Sequence, residues 1–493
     1  MSLMNVSGLT FAYERSYDNI FEDVSFKLDT DWKLGFLGRN GRGKTTFLNL
    51  LLGRYEYKGT IFSAVPFEYF PYPVEDDSLI TEEVIRGIHP EYVQWELMRE
   101  FSLLELDDDA LYRTFNTLSN GERTKILLAV LFLKEDRFLL IDEPTNHLDM
   151  HGRETVSKYL QKKKGFILVS HDRAFLDGCI DHVLSINKTN IEIQHGNFSS
   201  WLENKERQDN FELAENDKLK KDIKRLSSAA KRTSDWSDKV EKTKKATKNS
   251  GSKPDRGYIG HKSAKMMQRS KSIDQRRRSA IDQKSQLLGN VEESEQFKLT
   301  QSPFHTKRIV SFDNVSIFYD EPPVCSGLNF TVEQGERVAL CGRNGSGKSS
   351  IIKLICGEDI KHSGYPQIAN GLRISYVSQD TSMLEGGLSG YAAESGIEES
   401  LFKAILRKFG FSRSQFEKNI QDFSGGQKKQ VLLARSLCER AHLLIWDEPL
   451  NFIDVISRMQ IENLLLEYQP TIIFVEHDHV FTEKVSTKRV ELS

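Results

Sequence analysis

Short, unbroken apolar runs recur along this chain, and each ends at a polar or glycine-rich stretch. Leu34–Leu37 and Val338–Cys341 run into glycine-rich loops, while the runs from Phe138 and Leu443 end in Asp-Glu-Pro. Phe166–Ser170 and Ile472–Glu476 each end at a histidine, and Ile374–Ser378 at a glutamine. Runs of this length without polar alternation predict central parallel strands buried on both faces. Leu9–Tyr13 reads as an opening strand. Between residues 200 and 290 the pattern changes. Phe211–Val240 is rich in helix formers, and Leu219, Ile223, Leu226 and Ala230 form a seam suited to an antiparallel helix. The stretch 249–260 is crowded with helix breakers, and His261–Leu288 predicts a returning helix. The whole reads as α/β, with two parallel-sheet units joined by a helical hairpin.

Both units carry the same motifs in the same order. Lys44 and Lys348 are 304 apart, Ser119 and Ser424 are 305 apart, as are Glu143 and Glu448, and His171 and His477 are 306 apart. Four matched motifs at one spacing mark a duplicated cassette.

The glycine-rich loops read Gly38-Arg39-Asn40-Gly41-Arg42-Gly43-Lys44-Thr45, followed by Thr46, and Gly342-Arg343-Asn344-Gly345-Ser346-Gly347-Lys348-Ser349, followed by Ser350. Each follows a strand and opens a helix, so backbone N–H groups and the helix N-terminus can cradle phosphate. The lysine of such a loop reaches the β- and γ-phosphates, and Thr45 or Ser349 ligates Mg2+. Asp142 and Asp447 are placed to hold Mg2+ through its water shell, and Glu143 and Glu448 to polarise an attacking water. His171 and His477, closing the next strand, are placed to contact the γ-phosphate. ATP and Mg2+ are therefore the expected ligands.

Composition sets limits. With 38% hydrophobic and 28% charged residues over 493 positions, the chain reads as soluble and of two or three domains. No apolar run predicts a membrane span and no leader segment is evident, so a cytoplasmic location is expected. Cys179, Cys325, Cys341, Cys356 and Cys438 show no metal or disulfide spacing and are expected to be reduced, small buried side chains. The net charge of −3 conceals a polarised distribution: residues 218–284 hold 22 Lys/Arg against 7 Asp/Glu. That excess is too one-sided for intrahelical ion pairs and points to nucleic acid. Lys244, Lys245, Lys253, Arg256, Tyr258, Lys262, Lys265, Arg269, Lys271, Arg276, Arg277 and Arg278 are its candidate contacts.

Leu118-Ser119-Asn120-Gly121-Glu122 and Phe423-Ser424-Gly425-Gly426-Gln427 resemble the signature loop of ABC ATPases, and Pro144–Asp149 and Pro449–Asp454 the segment that follows their Walker B strand. The resemblance covers both cassettes. It implies two ABC-type P-loop ATPase domains in tandem, at 1–198 and 301–493, with a long basic helical hairpin at 199–300. Tyr13 and Tyr319 take the place of the adenine-stacking aromatic. Head-to-tail pairing within a monomer is implied, with Lys44, Glu143 and His171 facing Ser424 and Gly426, and Lys348, Glu448 and His477 facing Ser119 and Gly121. Gln379 fits the Q-loop glutamine and is a metal candidate, whereas the first copy has Tyr72 at that place. Both sites retain the glutamate, and unequal turnover is expected.

Two fused cassettes, a basic hairpin and no membrane domain resemble the ABC-F group, and within it the Lsa-type antibiotic-resistance proteins. Trp32–Gly35, Phe211–Asn216, Arg269–Lys271 and Ile445–Asn451 carry that likeness. Tyr72 and Leu118 are 46 apart, so the extra arm of housekeeping relatives is not expected, and with 16 residues after His477 no C-terminal extension is expected either. The resemblance implies a bacterial ribosome partner, with contacts to large-subunit RNA and P-site tRNA. It also implies protection against lincosamides, streptogramin A compounds and pleuromutilins by a hairpin tip pushed from the tRNA exit site toward the peptidyl-transferase centre. A housekeeping translation factor, a DNA-acting ABC ATPase and a transporter subunit are the competing readings.

Overall fold

The computed structural model describes residues 3–13, 19–134, 136–146, 148–187, 190–211, 301–319, 322–343, 345–411 and 413–492, with positions 214, 215, 218, 221, 224 and 228 in addition. Asn344, the expected turn at 249–260, the helix 261–288 and all twelve candidate hairpin contacts lie outside them. Met1–Trp201 and Gln296–Ser493 together form one compact unit, so the two cassettes are parts of one body.

Each cassette is built on a mainly parallel sheet. In the first, the strand order is Phe67–Phe70, Phe138–Asp142, Phe166–Val169, Lys33–Leu37, His182–Asn187 and Asn190–His195, the last pair antiparallel. In the second it is Ile374–Val377, Leu443–Asp447, Ile472–Val475, Arg337–Gly342 and Lys488–Leu492. The strands with unbroken apolar runs are the ones covered on both faces: every residue of Phe166–Val169, Leu443–Asp447 and Ile472–Val475 is buried. A three-stranded antiparallel sheet lies beside each, centred on Leu3–Phe11 in one cassette and Arg308–Ile317 in the other. Apolar side chains from both sheets close over the helix that follows the P-loop. In the first copy Phe47 meets Phe21 and Phe36 in edge-to-face contacts. Burying a side chain of that size is worth about 1.5–3 kcal/mol, so this layer anchors the loop that precedes it.

The glycine-rich loops, the Asp-Glu-Pro turns and the strand-end histidines all lie at the carboxyl ends of the parallel strands. This is where an open α/β sheet leaves a crevice. Trp446 shows how the apolar strand tolerates a polar atom: its indole N–H donates to Ser436 Oγ at 2.9 Å, which also pairs with Ser375 Oγ at 2.9 Å.

Two expectations are corrected. Helix begins at 198, upstream of Phe211, because Asn197 accepts from the Ser200 N–H at 3.1 Å and because Phe198 and Trp201 bury their rings. The described positions beyond 211, as far as 228, are also helical. Cys356 is exposed rather than buried, because it is the C-cap of helix Lys348–Ile355, where the chain leaves the core.

Candidate functional site

Both P-loops take left-handed backbone at the glycine before the lysine: φ is 96° at Gly43 and 88° at Gly347. A β-carbon at Gly43 would sit 2.5 Å from Ile20 Cγ2, so glycine is required there for space as well as conformation. The lysines curl onto their own loops. Lys44 Nζ donates to Gly38 O at 2.7 Å, and Lys348 Nζ to Gly342 O at 2.9 Å and Arg343 O at 2.8 Å. Burial lowers the Lys44 pKa against the opposing pull of Asp454, Glu143 and Asp142.

Glu143 and Glu448 also adopt left-handed backbone, with φ of 51° and 47°. For a non-glycine residue this conformation costs on the order of 1–3 kcal/mol and clusters at working sites. It is held by backbone bonds to the neighbouring strand, Glu143 N to Val169 O at 2.9 Å and Glu448 N to Val475 O at 3.1 Å. Nothing in residue type announces this strain.

The signature serines cap helices. Ser119 Oγ accepts from Glu122 N at 3.2 Å while Glu122 Oε2 accepts from Ser119 N at 2.7 Å. Ser424 and Gln427 repeat the reciprocal box at 3.4 and 3.1 Å. Each signature thereby presents the N-terminus of a 14-residue helix, a ready anion site. The S-x-x-E/Q spacing carries that signal in the sequence.

The cassettes meet head to tail, but the two composite sites differ in shape. In the first, Asn40 Nδ2 donates to Phe452 O at 2.5 Å and Asn40 N to Asp454 Oδ2 at 3.2 Å, so the first P-loop rests on the second cassette. Gly426 lies against this contact: a β-carbon there would be 2.6 Å from Asn40 Nδ2 and 2.2 Å from Phe452 O. The second site is an open cavity of about 750 Å3, whose lining includes Ser119, Gly121, Arg343, Gly345, Gln379, Glu448 and His477. In the first site Asn40 of the P-loop thus meets the segment beside Gly426, and in the second Glu448 and His477 share a cavity with Ser119 and Gly121, while Lys348 lines the neighbouring cavity.

The carboxylates are also differently served. Gln379 Nε2 donates to Glu448 Oε2 at 2.7 Å and Asn451 Nδ2 to the same oxygen at 2.6 Å. His477 Nε2 stands 3.7 Å from the other oxygen, and His477 first, then the Asn451 bond and the charge of Lys429, hold Glu448 below the usual carboxylate range against burial. At Glu143, His171 Nε2 is 3.1 Å from Oε1 but without hydrogen-bond alignment, and Oε1 has no hydrogen-bond partner. Burial and the adjacent Asp142 push Glu143 up to about 8. His171 is driven well below its ordinary value by burial and then by Lys44, so it stays neutral.

Strand register explains the difference. Phe67 pairs with Phe138 as Ile374 pairs with Leu443, which makes Tyr72 the counterpart of Gln379 and Tyr69 that of Tyr376. Tyr72 turns away from Glu143 and lies under Lys134, whose Nζ is 4.8 Å from the ring. Tyr69 instead donates to Asp142 Oδ2 at 3.1 Å, beside Thr45 Oγ1 at 3.4 Å. Tyr13 and Tyr319 are exposed, and the Tyr13 hydroxyl pairs with Thr46 Oγ1 at 2.7 Å.

A one-sided ion cluster joins the cassettes beneath the sites. Arg173 reaches across to Glu462 through both guanidinium nitrogens, one at 3.1 Å, and approaches Asp478 at 3.7 Å. By the repeat offset, the reciprocal positions are His479 and Ser157, an uncharged counterpart to Glu462. Arg153 adds a bond to His477 O at 3.3 Å. Sequence reading passed over these residues, since none belongs to a phosphate motif.

Residues 21–146 and 325–451 match the family described as ABC transporter. The chain is 28% identical to the ribosome protection protein VmlR of Bacillus subtilis (strain 168), over 100% of this chain and 86% of that protein. It is 26% identical to the putative ATP-binding protein YdiF of the same organism, over 100% of this chain and 80% of that one. A solved structure titled RNase-L Inhibitor superposes with a TM-score of 0.62 at 17% identity, covering 98% of this chain and 87% of that one, a likeness of fold. Among the described residues no helix is long and apolar enough to cross a membrane. Matched over both cassettes, the chain is an ATP-binding ATPase that belongs to the ABC transporter family and, within it, to the ABC-F group.

Proposed function

We propose that this chain is a cytoplasmic, ATP-driven ribosome-binding protein that protects the bacterial large ribosomal subunit from antibiotics. Its domains would be the first cassette (1–198), the hairpin (199–300) and the second cassette (301–493). The observation that carries the reading is full-length similarity to a ribosome protection protein, joined to a segment at 218–284 with 22 basic and 7 acidic residues. Such a segment meets phosphate backbone through charge. Lincosamides, streptogramin A compounds and pleuromutilins are the drugs proposed, cleared by a hairpin reaching from the tRNA exit site toward the peptidyl-transferase centre.

ATP would be bound with its phosphates on the Lys44 and Lys348 loops and its adenine on Tyr13 and Tyr319. Ser119 with Gly121, and Ser424 with Gly426, would complete each site from the opposite cassette. Thr45 with Asp142, and Ser349 with Asp447 and Gln379, offer a hard-oxygen donor set that suits Mg2+, which neutralises phosphate charge when bound. Glu448 and Glu143 would accept a proton from the attacking water, and His477 and His171 would steady the γ-phosphate. Because each site is shared, closure follows differential binding of ATP to the paired state, and hydrolysis releases it.

The test is co-sedimentation of the Glu143→Gln/Glu448→Gln variant with bacterial ribosomes, with and without ATP. ATP-dependent pelleting is expected. Failure to pellet with ATP binding intact overturns the ribosome assignment and turns attention to DNA. The chain is equally covered by a relative named only as ATP-binding, so a housekeeping translation factor is the second reading. Expression in a drug-susceptible host separates the two, since protection raises tolerance and housekeeping does not.

A further inference from the structure

We propose that Lys429 is a positioning residue of the second site, fastening the Gln379 loop to the end of the Leu443–Asp447 strand so that the Gln379 amide stays on Glu448. The inference rests on the ATPase reading of that site.

Lys429 is 2% exposed. Its Nζ donates to Ser378 O at 2.7 Å, Gln379 O at 3.4 Å and Asp447 O at 3.4 Å. Among the described residues no carboxylate pairs with it at ion-pair distance. Asp447, Glu476, Glu448 and Asp380 attract the buried ammonium from beyond ion-pair distance, which offsets only part of its desolvation, and its direct bonds all go to carbonyls. What the arrangement does achieve is geometric. One nitrogen ties two consecutive carbonyls of the glutamine loop to the carbonyl of Asp447, the residue before Glu448. The Gln379 side chain then spans 2.7 Å to Glu448 Oε2 from a loop that cannot drift.

The first copy lacks both halves of this device together. Tyr72 stands at the place of Gln379 and Thr124 at that of Lys429. The Thr124 hydroxyl donates to Asn120 O at 2.9 Å within its own helix and reaches neither the loop nor the strand. The Tyr72 ring lies under Lys134 with its hydroxyl beside Glu68, and no hydrogen bond joins it to Glu143. Paired presence in one copy and paired absence in the other is what a two-residue unit requires. A lysine retained for packing would not be tied to the identity of the residue at 379.

The experiment isolates each site by silencing the other. In a Glu143→Gln background, Lys429→Thr should lower second-site kcat about 10- to 100-fold, the usual loss for an outer-shell partner, with affinity for a fluorescent ATP analogue changed less than about threefold. In a Glu448→Gln background, Tyr72→Gln with Thr124→Lys should raise first-site kcat, while neither change alone does. Unchanged second-site kcat in Lys429→Thr, or a fall matched by lost nucleotide affinity, overturns the proposal. Should Lys429→Thr fail to fold, the transplant decides, and absence of gain in the double variant overturns it. If Glu448→Gln itself leaves second-site turnover intact, the ATPase assignment of that site fails instead.

Discussion

Cutting the ion cluster between the cassettes should loosen their pairing far more than the number of atoms removed implies. Arg173 and Glu462 have side chains only 5% and 3% exposed, and Asp478 is fully buried beside them. Replacing Arg173 with Met leaves the Glu462 carboxylate with Lys484 Nζ at 3.7 Å as its remaining cation among the described residues, and that lysine is half exposed. Breaking a buried pair by removing one partner costs about 3–5 kcal/mol. When the cassettes part, water takes over from the lost partner, so the cost falls on the paired state alone. About 3 kcal/mol is roughly a hundredfold in the pairing equilibrium. Removing both charges, as Arg173→Met/Glu462→Leu, should recover most of that loss, because an apolar pair of similar volume is often neutral or better. Spin labels on the outer face of each cassette, in a Cys356→Ser background to silence the exposed thiol, report the distance with and without ATP. The expected result is a broad, long distance in each single variant and a short one in the double. Additivity of the two losses within about 0.5 kcal/mol would mean that the residues do not act as a pair, and the reasoning would fall.

Other consequences are readily checked. Gly426→Ala puts a methyl 2.6 Å from Asn40 Nδ2 of the first P-loop, besides 2.2 Å from Phe452 O in its own cassette, so it should abolish closure at the first site while leaving the second, lined by Gly121, able to bind nucleotide; isothermal titration should show one site lost. Glu143→Gln and Glu448→Gln should differ, with Glu448→Gln removing the larger share of phosphate release, because Gln379 and Asn451 serve only that carboxylate; equal residual rates would refute the asymmetry. Tyr69→Phe deletes the 3.1 Å bond to Asp142 and should lower stability by about 0.5–1.5 kcal/mol in urea, whereas Tyr376→Phe, whose hydroxyl has no such bond among the described residues, should be silent. Glu100 is buried, which alone would raise its pKa, but bonds from Lys163 at 2.5 Å and Tyr159 at 2.6 Å hold it below the usual range. A depressed carboxyl stabilises above its unfolded pKa and loses that contribution as pH falls through the folded value. Glu100→Gln should therefore be destabilised at neutral pH, and the gap from wild type should close in acid unfolding.

Much of this was legible because it is local. A strand that ends in a glycine-rich loop and opens a helix announces phosphate binding by spacing alone, and unbroken apolar runs announced which strands are buried on both faces. The serine three residues before Glu122 or Gln427 carried its cap in the same way. The register of Phe67 on Phe138 matched Tyr72 to Gln379, as spacing implied, yet spacing could not say that Tyr72 turns away or that Tyr69 takes the neighbouring carboxylate. The exposure of Cys356 and the early start of the helix at 198 depend on where the chain leaves the core, which composition does not record.

The sequence by itself determined the two cassettes, their order and the identity of each phosphate loop, because those properties are set by residues within a few positions of one another. Only the tertiary structure decided which groups serve which carboxylate. Asn40 meets Phe452 across 412 residues of chain, Arg173 meets Glu462 across 289, and Lys429 meets Ser378 across 51. Contacts at such separations arise when packed sheets and helices bring distant surfaces together, and two copies that share motifs can therefore differ in their chemistry.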